Sequence, residues 1–246
     1  VRPHAAAVDV GSEKFFASVA GEEPKVFLTV TEHMYALCDY FKEKEVTSVA
    51  MEATGVYWIN LFTALEERGF EVVVVNGAQC RNLPGRKTDM QDCQWMAVLH
   101  AHGLLTSGFV PDADIRRLRD YMRVRADLIA MGSQHIQHMQ KALDRLNVKV
   151  HVVLSDITGA SGMRIIEAIL GGERSPHALL RLCDPQILKT KKARMLEALR
   201  GLWKEEHLFA LRLGYESYKH YQKQIEQCDQ EIAKLVQEMS SGKPIP

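Results

Sequence analysis

The hydrophobic pattern changes near residue 111, and this change restricts the chain to a fold with two parts. Before that point, three short strand-like runs come first, and helix-like and strand-like segments then alternate. After it, strands become scarce and apolar residues recur at heptad spacing. We therefore expect an α/β domain over residues 1–110, with helices on a mixed sheet, followed by an all-α region with long coiled-coil-type helices.

Two long helices are predicted in the all-α region. The first covers 115–146 and the second about 207–239, and each is apolar at eight of ten heptad positions. These apolar positions include Met122 in the first helix and Leu208, Leu211, Ile225 and Val236 in the second. The second seam also contains Gln222 and Asp229, polar residues that can fix the register of a coiled coil. The sequence leaves two interpretations open for this helix: a dimerisation helix, or an ordinary helix packed on its own domain.

The segment between the two long helices has a different pattern. Its short helical stretches are interrupted by Gly159, Gly162, Gly171-Gly172, Pro176 and Pro185. We accordingly divide the chain into an α/β domain over 1–110, a helical region over 111–206, and a dimerisation helix with a linker over 207–246. The linker-like end leads us to expect a truncated chain.

Composition excludes several protein classes. Lys and Arg number 31, as do Asp and Glu, so a nucleic-acid binder would have to concentrate its positive charge locally. Five scattered cysteines without a C-x-x-C pair argue against zinc and disulfides and favour a cytoplasmic location. No apolar run is long enough for a membrane span, and no secretory signal is visible.

Four acidic residues stand where strands are predicted to end or a helix to begin. Asp9 lies near the end of the first strand, Glu52 ends the fourth, and Asp89 and Asp92 are three residues apart at a helix start. Ligands of open α/β sheets bind beyond the carboxyl ends of the strands. Clustered carboxylates repel one another, and Mg²⁺ or Mn²⁺ removes that conflict. Singly, each acid also has a structural explanation, such as a favourable charge at a helix N-terminus.

These acids lie in motifs that resemble a known family. The segments 7–10 (AVDV), 51–58 (MEATGVYW) and 87–92 (KTDMQD) resemble, in order and spacing, those of the DEDD transposases. This insertion-sequence family includes pilin-gene invertases and bridge-RNA-guided recombinases. The resemblance covers nearly the whole chain, since the helical remainder is similar to the coiled-coil region of the family.

The resemblance implies a fold, a site and partners. It implies a RuvC-like domain of the RNase H fold in which Asp9, Glu52, Asp89 and Asp92 form the catalytic, metal-binding tetrad. It also implies donor and target DNA, a structured guide RNA, self-association to a dimer or tetramer, and action in the bacterial cytoplasm at the nucleoid. Family members carry a nucleophilic serine in a second domain, which we expect to be missing here.

Positive charge is concentrated in three candidate nucleic-acid contacts. One precedes the third acid, one lies on the first long helix, and one is a run of cations before Glu197; each is also open to interpretation as a solvated face. In chain order, these residues are Arg81, Arg86 and Lys87, then Arg116, Arg117 and Arg123, then Lys189, Lys191, Lys192 and Arg194.

Two other function classes compete with the recombinase. The segment 9–14 (DVGSEK) resembles the phosphate loop of actin-like ATPases and sugar kinases, although a second such loop is not found. A non-catalytic helical scaffold that dimerises through 207–239 is the other alternative. The pairs His100/His102 and His135/His138 are interpreted as surface helical histidines.

Overall fold

The computed structural model describes residues 2–76 and 89–241. The chain divides into two compact units, Val1–Pro111 and Asp112–Pro246. The first unit combines strands and helices, and the second is helical.

The α/β unit is built on one five-stranded mixed sheet with the order β3-β2-β1-β4-β5. β1 is antiparallel to β2, which is antiparallel to β3, whereas β1, β4 and β5 run parallel. The predicted mixed sheet is therefore confirmed. The strands are β1 Ala5–Val10, β2 Lys14–Val19, β3 Lys25–Leu28, β4 Ser48–Glu52 and β5 Glu71–Val75; the helices are α1 Thr31–Glu43, α2 Trp58–Glu67 and α3 Asp89–Ala101.

Alternating side chains give the sheet two apolar faces. On one face, Val8 and Met51 pack with Leu37 and Phe41 of α1 and Leu61 of α2. On the other face, the sheet residues pack against α3: Ala7, Ala50, Val73 and Val75 of the strands meet Met96 and Ala97. The central strands are buried on both sides, as expected for the parallel part of a sheet.

The helical unit consists of two long helices and several short ones. The elements are α4 Ala113–Arg145, a 3-10 turn Val150–Val152, α5 Ala160–Leu170, α6 Pro176–Leu180, α7 Pro185–Thr190, α8 Lys192–Ala198 and α9 Glu205–Ser241. Asp112 begins α4, since its side chain accepts a hydrogen bond from the backbone N–H of Ile115. No helix in the described ranges is long and apolar enough to cross a membrane.

α4 and α9 form an antiparallel hairpin. The Arg125 side chain binds Asp229, while further along α4 Gly132 approaches Tyr221 and Met139 approaches Gly214. A Cβ atom on Gly214 would lie 3.1 Å from Cγ of Met139, so the small residue permits the close approach. The seam predicted for α9 is therefore used within the chain, and its assignment as a dimerisation helix stays a prediction.

The predicted seam of the hairpin was wrong at several positions. On α9, Leu208, Leu211 and Ile225 are buried at predicted positions, but Cys228 and Leu235 are buried one residue before the predicted Asp229 and Val236. On α4, Met122 is 50% exposed although it was placed in the seam. A helix turns once per 3.6 residues, so a strict heptad of 3.5 drifts away from the contact face over many turns.

The apolar core of the helical unit lies at one end of the hairpin. It combines the last turns of α4 with the short helices and the first turns of α9. Leu143, Ile165, Ile166, Leu199 and Leu211 are fully buried there.

Candidate metal site at the sheet edge

Helix α3 packs on the sheet through residues at helical spacing. Cys93, Met96, Ala97 and His100 are buried on its inner face. The backbone N–H of Arg2, which precedes β1, donates to the carbonyl of Ala101, so the end of α3 lies beside the start of that strand. α3 therefore runs antiparallel to β1, and its first turn lies toward the carboxyl end of β1.

The thiol of Cys93 marks this end of the helix. Its Sγ donates to the carbonyl oxygens of Phe16, at 2.8 Å, and of Ala7, at 3.4 Å. Burial, with a smaller contribution from the carboxylate of Asp9, raises the pKa of the Cys93 thiol to about 12. The thiol therefore stays protonated at neutral pH, and it is a packing residue rather than a nucleophile.

Asp9 and Glu52 lie at the same edge and on the same face of the sheet. The parallel register pairs Val8 with Met51, so the next residue on each strand, Asp9 or Glu52, lies beside the other. Asp9 is two residues after Ala7, and Glu52 is two residues after Ala50; both alanines face α3. The two carboxylates are half-buried and belong to neighbouring strands.

Asp92 and Asp89 belong to the first turn of α3. Asp92 precedes Cys93 and is exposed. Asp89 is the first residue of the helix, but its side chain lies outside the described part of the structure. Among the described residues, no group of three or more His, Cys, Asp or Glu side chains is placed to hold a metal ion. The complete tetrad therefore stays a prediction.

The chemistry of the residues at this edge fits a hard divalent cation. Asp9 and Glu52 offer carboxylate oxygens from neighbouring strands at this edge. Mg²⁺ and Mn²⁺ prefer such oxygen ligands, keep several waters and bind few protein groups. Two carboxylates placed side by side suit that mode of binding.

An aromatic side chain is exposed in the loop that follows Glu52. Tyr57 is 47% exposed, and Gly55 has a φ of 55°, a conformation that favours glycine. Trp58, the next residue, packs edge-on against Phe62 with ring centroids 5.7 Å apart. Trp58 thus belongs to the core, whereas Tyr57 is available to solvent.

The predicted basic cluster on α4 is largely matched by acids. Arg117 lies 3.5 Å from Asp114 and 3.9 Å from Glu238. Arg123 lies 3.0 Å from Asp120, and Arg116 also has an interaction partner. Nearby acids therefore compensate much of the positive charge on this half of α4.

The basic run at α7 and α8 is more open. Lys189, Lys191, Lys192 and Arg194 are all exposed. The Nζ of Lys191 donates to the carbonyl of Val153 at 3.1 Å, which anchors one member of the run to the unit. The third predicted cluster, Arg81, Arg86 and Lys87, lies outside the described residues.

A polar network at the opposite edge of the sheet was missed by the sequence reasoning. His100 is only 2% exposed, and its Nε2 lies 2.8 Å from the hydroxyl of Ser48. Arg2 donates to the same hydroxyl and to Glu71. The interpretation of His100 as a surface residue was therefore wrong, because it lies on the buried stripe of α3. His102, two residues later, is exposed as predicted.

Comparison with known proteins agrees with this architecture. A family model, DEDD_Tnp_IS110, described as a transposase, matches residues 6–148 and so covers more than half of the chain. The matched range contains all four predicted acids. No curated protein matches the chain. The mixed sheet followed by helices is consistent with the RNase H-like fold that the sequence led us to expect. The chain belongs to the DEDD transposase family of the IS110 type.

Proposed function

We propose that this chain supplies the metal-binding carboxylates of a DNA recombinase, through Asp9, Glu52, Asp89 and Asp92. Membership of a transposase family assigns cleavage and rejoining of DNA in general terms. The observation that carries the more specific proposal is the parallel register that brings Asp9 beside Glu52 on the face covered by α3. The first turn of α3 bears the other two acids.

The role of the carboxylates is to hold and orient a divalent cation, Mg²⁺ or Mn²⁺. A cation bound there would act as a Lewis acid on phosphodiester oxygens. The strand backbones fix Asp9 and Glu52, because each residue is part of, or ends, a strand paired on both sides. Such rigid placement fits a site whose contribution is electrostatic and positional.

The partners follow from the family and are proposals for this chain. We infer that it binds donor and target DNA, that a structured guide RNA selects the target, and that a serine outside this sequence attacks the DNA. Arg81, Arg86 and Lys87 are proposed to position phosphates beside the acids. A dimer or tetramer is proposed to bring two DNA strands together. The family match favours this function over the ATPase and scaffold alternatives.

Metal-dependent thermal stability tests the proposal. A ligand at about 100 times its Kd stabilises the folded state by about 2.7 kcal/mol, which corresponds to a Tm increase of about 5–10 °C for a chain of this size. We expect Mn²⁺ or Mg²⁺ to raise the Tm of the wild type. Asp9→Asn, Glu52→Gln and Asp92→Asn should abolish most of that increase.

Asp39→Asn is the matched control, because Asp39 is an exposed carboxylate on α1, a helix on the other face of the sheet. This variant should keep the full metal response. The proposal fails if Asp9→Asn and Glu52→Gln respond to metal as the wild type does. A nucleotide added in place of the metal tests the ATPase alternative in the same assay.

A further inference from the structure

A groove of about 350 Å³ lies between α4 and α9 near the core end of the hairpin. Its α4 side carries four residues that can bear positive charge: His135, His138, Lys141 and Arg145. These positions are separated by three, three and four residues, so they share one face of α4. None of them belongs to the basic clusters predicted from the sequence.

Small residues on α9 open this groove. Ala210, Gly214 and Ser217 line it opposite the long basic side chains. Gly214 lets the two backbones approach, since a Cβ atom there would lie 3.3 Å from the backbone nitrogen of Met139. The groove therefore has small residues on its α9 side and basic residues on its α4 side.

The positive charge in the groove is not matched by acids. Among the described residues, Lys141 and Arg145 form no ion pair, and the groove lining contains no Asp or Glu. Asp144, which lies between them in sequence, binds Lys149 at 2.7 Å instead. His135 stacks on Tyr221 with ring centroids 5.3 Å apart, which holds its imidazole at the groove. This differs from the other half of α4, where Arg123 is paired with Asp120.

We infer that this groove binds the phosphate backbone of a nucleic-acid strand. The four residues extend over ten positions of α4, about 15 Å at 1.5 Å per residue. That length equals about four nucleotides of a stacked strand at 3.4 Å each. Cations with imidazole donors recognise phosphate oxygens without reading bases. The inference rests on the proposed function to the extent that nucleic acid is taken as the partner of this chain.

Salt-dependent binding of labelled oligonucleotides tests the groove. The 246-residue chain is titrated against a fluorescent single-stranded 20-mer RNA, and against DNA of the same sequence, between 50 and 200 mM KCl in EDTA. Each phosphate contact contributes a slope of about 0.7 to the dependence of log K on log salt for single strands. Lys141→Gln with Arg145→Gln should lower the slope by about 1.4 and weaken binding about tenfold.

The matched control is Arg123→Gln with Lys149→Gln. It removes the same net charge, but from residues already paired with Asp120 and Asp144. It should change the affinity less than twofold. Ser217→Glu is a second probe, because it adds a negative charge to the groove lining while both cations remain. It should also weaken binding, and circular dichroism verifies that each variant is folded.

The outcomes separate the possible occupants. If the groove variant loses more affinity for RNA than for DNA, the groove is assigned to the guide RNA. If it loses equal affinity for both, the groove binds any phosphodiester backbone. The inference is overturned if the groove double variant and the control double variant weaken binding equally. Binding of polyglutamate without binding of either oligonucleotide would overturn it as well. EDTA removes divalent metal, so this measurement does not depend on metal binding by the carboxylates. The groove can therefore be tested even if the proposed metal site is wrong.

Discussion

The two units of the chain are stabilised in different ways. The α/β unit packs helices on both faces of its sheet, so its central strands are buried from two sides. The helical unit has its main apolar cluster at one end of the α4–α9 hairpin. In the other half of the hairpin few residues are buried, and several apolar side chains are exposed. Stability should therefore depend on position along the hairpin, whereas the central strands of the sheet should be sensitive to substitution on both faces.

The largest effect should come from truncating the core end of α4. Leu143 is fully buried in the apolar cluster of the helical unit. Leu143→Ala should lower the free energy of unfolding by about 3 kcal/mol, because it removes buried methyl groups and leaves a cavity. Urea denaturation followed by circular dichroism measures this loss.

Ile129→Ala on the same helix sharpens the comparison. Ile129 is 40% exposed on the far half of the hairpin. Its truncation should cost less than about 1 kcal/mol, as for a surface substitution. Equal losses in the two variants would contradict the view that the hairpin is packed mainly at one end.

The α/β unit was predictable because its chemistry follows from strand order. Asp9 is the last residue but one of its strand and Glu52 is the last of its strand, so both carboxylates lie at the carboxyl edge, and the sheet fixes which strands are neighbours. The sequence thus indicated that both acids stand at the carboxyl ends of strands, but it did not indicate which face of the sheet they share. The sequence did not show that His100 is buried. A histidine on a helix can lie either on the exposed face or on the buried face, and its spacing alone does not distinguish the two.

The helical unit was less predictable, because helix contacts depend on small shifts in rotation. Heptad counting located both long helices, but it placed Asp229 in the seam instead of Cys228. It also treated Gly162 as a helix breaker. Gly162 lies within α5, and a Cβ atom there would overlap the carbonyl oxygen of Ile157 at 2.1 Å. Position 162 therefore requires glycine, because the backbone at Ile157 passes close to it. No pattern in the sequence reveals this close approach.

A smaller effect should appear in the pH dependence of the α/β unit. Burial lowers the pKa of His100 below its ordinary value of 6.5, and the guanidinium of Arg2 lowers it further. Below pH 6.5 the unfolded chain binds more protons than the folded chain, so this stability is present above pH 6.5 and is lost as the pH falls. His100→Gln should cost about 1–2 kcal/mol at pH 7, since it perturbs the hydrogen bond with Ser48.

Denaturation from pH 7 to pH 5 is the measurement for this prediction. The wild type should lose more stability over this range than His100→Gln, which has no group to titrate there. His102→Gln is the matched control, because His102 is exposed two residues away. It should follow the wild type. If all three proteins lose the same free energy of unfolding between pH 7 and pH 5, protonation of His100 does not affect the stability of the fold.

The smallest effect is expected at the far half of the hairpin, where Arg125 binds Asp229. The carboxylate of Asp229 raises the pKa of Arg125, but the pair is partly exposed and therefore screened by water and salt. Arg125→Leu or Asp229→Leu should lower the Tm by about 1–2 °C, because each leaves one charge without its partner. The double variant should recover that loss, since two leucines replace an ion pair by an apolar contact. If the double variant loses as much as the two single variants together, the residues act independently, and the pair does not fix the register of the two helices.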